Sequence, residues 1–150
     1  MHNDVPSKVD WGNVESDRDI KYAFQFFFGK TNEEMINEFK KNVTMRTSDL
    51  KFMPEIPFKY YMMGFLDFIQ KELYEEFDKP DVMNCFVTLV EDKLMNSPDE
   101  IMSLIDVIDP TLVSICMNQN RYGLDEEIYG DLKIKYKNIS SIKNSYTKDA

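Results

Sequence analysis

The residue types that carry chemistry in proteins are thinly and unevenly spread along this chain. His2 is the only histidine and stands at the extreme N-terminus. That removes Ser-His-Asp and Cys-His catalysis, histidine zinc sites and Glu-x-x-His di-iron bundles together. No P-loop, G-x-G-x-x-G or G-x-S-x-G occurs, so neither a glycine phosphate cradle nor a nucleophile elbow is expected. Cys85 and Cys116 each lie in an apolar run, Asn84-Cys85-Phe86-Val87 and Ser114-Ile115-Cys116-Met117, the setting of reduced core thiols. Glu72 with Glu76, and Asp106 with Asp109, are spaced as an acid/base couple. A chain with 27 acidic residues forms such pairs by chance, however, and glycosidases are defined by carboxylate separation across a cleft.

Asn118 to Tyr129 superficially follows a calcium loop, with oxygen side chains at its first and third positions and Gly123 at the sixth. The bidentate glutamate required at the twelfth position is Tyr129, and the fifth is Tyr122, so calcium is not expected. The alternative is a corner: a helix stop at Gly123, a cap at Asp125, and Asn and Gln amides tying the two together. No metal or cofactor is predicted.

What remains is charge. The net charge is −9, and residues 91–131 hold ten acids against Lys93 and Arg121, a local net of −8. Residues 132–150 reverse sign to +4 through Lys133, Lys135, Lys137, Lys143 and Lys148, while residues 1–90 carry −5. Phosphate backbones repel such an acidic stretch, which disfavours nucleic acid. A basic protein is the favoured partner, because opposed potentials raise encounter rates. The candidate contact residues are Asp99, Glu100, Asp106, Asp109, Asp125, Glu126 and Glu127, with Arg121, Tyr122 and Tyr129 as anchors. Acids also collect at helix N-termini, where they complement the dipole, so a purely structural role has equal weight.

The elements that must position these residues read as helices throughout. Gly 5 and Pro 6 are too few to punctuate a many-turned β-fold, and 43% hydrophobic residues are enough for a core. The predicted fold is all-α: a single-domain orthogonal or irregular bundle of about six or seven helices over residues 16–138, after a lead segment 1–15 docked by Trp11 and before a frayed polar tail 139–150. A helix capped by Ser16 runs to about Phe28 and stops at Gly29. Thr31 and Glu34 form a capping box for the next. A polar link near Arg46 to Asp49 follows.

The longest helix is predicted from Pro57 to Phe77, with Gly64 marking a close approach by a neighbour. Pro80 and Asp81 open another. Ser97-Pro98-Asp99-Glu100 combines an N-cap, an N1 proline and an N3 glutamate, and Asp109-Pro110 repeats the device. Two short helices, about 98–108 and 110–122, are therefore expected, then a last one capped by Asp125 and ending near Asn138.

Met1 to Pro6 lacks the basic and apolar regions of a signal peptide, and no uncharged run approaches the roughly 18 residues of a membrane span. A cytoplasmic protein off the membrane is expected. Its function reads first as an acidic helical protein-binding module, the general character of immunity proteins and antitoxins that neutralise a basic partner. Second comes a structural subunit that forms a homo-oligomer through exposed aromatics such as those of Phe26-Phe27-Phe28. A carboxylate-based enzyme ranks last.

Overall fold

A computed structural model of the chain describes residues 4–148. His2 lies outside the described residues, as does the end of the tail. Among the described residues every regular element is helical, and the chain forms two compact units, residues 1–75 and 76–150. Helical segments outnumber the six or seven expected because one-turn pieces join the long helices.

The N-terminal unit is built on large rings. Helix α1 (Lys8–Trp11) is closed by reciprocal bonds between Ser7 and Asp10, and it buries Trp11, whose ring meets the edge of Phe24 at 5.4 Å. Helix α2 (Arg18–Phe27) starts one residue later than expected, with Asp17 accepting from the Asp19 and Ile20 amides, because Val14–Ser16 is already a 3-10 turn. Helix α3 (Asn32–Lys41) has the Thr31–Glu34 capping box. Hydrogen bonds from Thr31 hold the Glu34 carboxyl below its ordinary value.

The polar link expected at Arg46 to Asp49 is instead part of helix α4 (Val43–Phe52), whose first turn is capped by the Asn42 side chain. Helix α5 (Glu55–Gln70) is the spine of the unit, burying Phe58, Tyr61, Phe65 and Phe68 at helical spacing. The Tyr61 hydroxyl lies 2.6 Å from the Phe27 carbonyl and 2.7 Å from that of Lys30. It thereby satisfies the open end of α2, and burial raises the phenol's pKa.

Gly64 has the neighbour its position implies. The Asn32 amide nitrogen donates to the Tyr60 carbonyl at 3.0 Å, and its oxygen occupies the place where a Cβ at residue 64 would stand, 2.1 Å away. Helix α5 stops at Gln70 and does not reach Phe77. The Leu73 amide donates to the Phe68 carbonyl and the Glu72 amide to that of Ile69, a Schellman closure that places Glu72 in the left-handed region at φ 54. A glutamate carries no sequence signal for that role, and Phe77 is left 93% exposed in the turn Glu76–Asp78.

The C-terminal unit has an aliphatic core. Helix α6 (Lys79–Asn96) buries Val82, Phe86, Leu89, Val90 and Leu94 along one stripe. Helix α7 (Pro98–Ile101) begins at the predicted Ser-Pro, yet the Ser97 side chain makes no cap bond. Glu100 pairs instead with Lys93, which is 2% exposed and requires a countercharge. Helix α8 (Ile105–Met117) runs straight through Pro110, so the break expected at Asp109-Pro110 is absent. Proline forfeits its bond to the Asp106 carbonyl and crowds that carbonyl, but Ile105, Ile108, Leu112 and Ile115 form an unbroken buried stripe across it. Asp125 caps a single turn, helix α9 (Glu126–Tyr129), which Gly130 ends at φ 80. Helix α10 (Leu132–Lys148) then continues well past Asn138 and buries Ile139. No helix among the described residues is long and apolar enough to cross a membrane.

Candidate binding surface

All ten residues singled out by charge lie in the C-terminal unit, and the unit uses several of them itself. Glu100 is half-buried against Lys93. Asp109 accepts from the Tyr136 hydroxyl at 3.0 Å and lies 3.7 Å from the Lys143 ammonium, fastening α8 to α10. Burial and then the Asp109 bond push the Tyr136 phenol up to about 12, since the hydroxyl is more useful there as a donor. Asp125 accepts from the Glu127 amide as the cap of α9. The Tyr122 hydroxyl bonds Ser114 Oγ at 3.0 Å, and Tyr129 is half-buried at the end of α9.

Asp99, Asp106, Glu126 and Glu127 are left exposed, with no ion-pair partner among the described residues. All four stand in the first turn of a helix, where the dipole favours them. Arg121 is also exposed. Of the ten, Arg121 and Glu126 share a cleft of about 340 Å³, together with Asn118, Gln119, Asp131 and Lys133.

A glutamine shapes this corner, and charge reasoning did not single it out. The Gln119 amide donates to the Gly130 carbonyl at 2.6 Å and accepts from the Leu132 amide at 3.0 Å, bridging the break between α9 and α10. Gly123, at φ 75, ends the preceding turn and packs on Pro80. The Gln119 amide thus ties α9 to α10 through backbone groups, while the expected corner has its stop at Gly123 and its cap at Asp125. Among the described residues no three His, Cys, Asp or Glu side chains gather as a metal site. Both cysteines are thiols, and burial pushes that of Cys116 up to about 11.

A second site without a strong sequence signal lies in the N-terminal unit. Arg46 Nε donates to Asp49 at 2.8 Å, both side chains are 7% exposed, and the guanidinium sits 3.4 Å over the Phe26 ring. Only the i,i+3 spacing of opposite charges pointed to it. Burial outweighs Arg46 and raises the Asp49 carboxyl above its ordinary value. No protein-family model, curated protein or solved structure matches the chain.

Proposed function

We propose that the chain is an acidic, helical protein-binding module that masks a basic surface on a partner protein, in the manner of an immunity protein or antitoxin. The observation that carries this reading is the set Asp99, Asp106, Glu126 and Glu127. These carboxylates are exposed and have no ion-pair partner among the described residues, in a segment whose net charge is −8. Solvated carboxylates without an internal partner add little to stability, but they set the potential that steers a cationic protein and selects against anionic ones. Arg121, beside Glu126 in the cleft, supplies a bidentate donor of the kind that anchors interfaces.

Affinity capture from the native host tests it, with the intact protein and a D99K/D106K/E126K/E127K variant as parallel baits. The reading predicts a basic protein retained by the first and lost from the second, with unchanged helicity by circular dichroism. Equal retention by both baits, or no protein distinguishing them, would overturn it.

A further inference from the structure

Helix α10 divides its lysines by face. Lys135 lies 3.8 Å from Glu91 of α6, and Lys143 lies 3.7 Å from Asp109 of α8, so these two turn towards the body of the unit. Lys133 and Lys137, one helical turn apart, have no ion-pair partner among the described residues. They line a groove of about 740 Å³ with Ile134, Ser140, Ser141 and Met117, and among the described residues no carboxylate lines it. Its apolar floor is open, with Ile134 59% and Met117 40% exposed. In a chain of net charge −9 this is a cationic, half-apolar surface.

The same unit carries a counterpart. Phe77, 93% exposed, is flanked in sequence by Glu75, Glu76 and Asp78, and the 3-10 turn Glu76–Asp78 presents it at the head of α6. Glu76 is already paired with Lys79 at 2.7 Å, so Glu75 and Asp78 are the carboxylates that remain, and a solvated phenylalanine between them has the chemistry of an anchor for a site with an apolar floor and a cationic rim.

We propose that the groove along α10 receives the Glu76–Asp78 turn of a second copy of this chain. Phe77 enters between Ile134 and Met117, and the flanking carboxylates face Lys133 and Lys137. The contact joins unlike surfaces, so it is head-to-tail, and the pair keeps one free groove on one copy and one free anchor on the other for further addition. One aromatic anchor and two exposed ion pairs make a weak contact, which forms at high protein concentration and loosens with salt. The inference goes beyond the partner reading and does not depend on it.

Sedimentation velocity of the full chain, from micromolar to millimolar protein at low and at high salt, tests the proposal. The weight-average sedimentation coefficient rises with concentration at low salt, and the rise shrinks at high salt. Phe77→Ser and K133E/K137E each abolish the rise, while circular dichroism confirms that both variants fold. An equimolar mixture of the two stops at a dimer, because one supplies only the groove and the other only the anchor. A protein that is monomeric throughout, or self-association that survives both variants, would overturn the proposal.

Discussion

The two units are of equal length and differ in what they bury. Fourteen of the twenty aromatic residues fall in residues 1–75 and six in 76–150, while the net charge is −3 in the first and −6 in the second. The N-terminal unit takes one charge pair inside, Arg46 with Asp49, and the Arg46 guanidinium lies over the Phe26 ring. The C-terminal unit spends some of its charges fastening short helices, through Lys93–Glu100 and through Tyr136–Asp109–Lys143, and leaves others in water. Ring stacking gives the first unit a core that tolerates little change of shape. An aliphatic core with many polar clasps supports a surface assembled from one-turn helices. Under the proposed function, the first unit serves as the scaffold and the second as the surface that meets the partner.

Core truncation is the strongest way to test that contrast. Phe39 stacks on Phe65 at 4.9 Å and on Phe68 at 5.7 Å. Phe39→Ala is expected to cost about 3–5 kcal/mol in urea unfolding, and a cost below that of Leu112→Ala in the second unit would break the contrast.

The buried pair gives an effect of similar size with a pH signature. Because burial raises the Asp49 carboxyl, the protonated form stabilises the fold. That stability is full at acid pH and is lost as pH rises through the folded-state value. Arg46→Gln removes the one opposing influence and leaves a buried unpaired carboxylate. The loss of about 3–5 kcal/mol near neutral pH is expected to shrink as pH is lowered through the carboxylate range, as read from unfolding midpoints at several pH values. A loss independent of pH would place the cost in packing on Phe26 instead.

Gln119→Ala removes both bonds across Gly130 and is expected to cost about 2 kcal/mol. Hydrogen exchange should quicken at the Leu132 amide while the N-terminal unit stays unchanged. The smallest effect has the opposite sign. A left-handed conformation costs a residue other than glycine roughly 1 kcal/mol, and part of that is returned by the extra freedom of glycine in the unfolded chain. Glu72→Gly is therefore expected to raise stability by about 0.5 kcal/mol, measured by thermal unfolding.

The all-helical class, the Thr31 capping box, the Trp11 anchor and the crowding at Gly64 were legible because each has a local cause: a cap, a lone large ring, a glycine within a helix. Three boundaries were not. Glu72 closes α5 without the residue type that usually marks such a closure, Pro110 is overridden by the apolar stripe on either side of it, and Gly130 cuts one expected helix into two. Arg46 and Asp49 read as a link because their types suit water, whereas in the fold they pair with each other and Arg46 packs on Phe26. The acidic segment was legible as charge but not as availability, since Glu100, Asp109 and Asp125 find partners that depend on the tertiary fold.

Isothermal titration of the captured basic partner against three forms of the protein addresses the division of labour most directly. The forms are the intact chain, the D99K/D106K/E126K/E127K variant, and a control in which the exposed N-terminal acids Asp19 and Glu33 are replaced by lysine. Binding is expected to weaken at least about 100-fold in the C-terminal variant, equivalent to about 2.7 kcal/mol, and by less than about threefold in the control. Equal losses in the two variants, or a larger loss in the control, would contradict the assignment of the binding surface to the C-terminal unit.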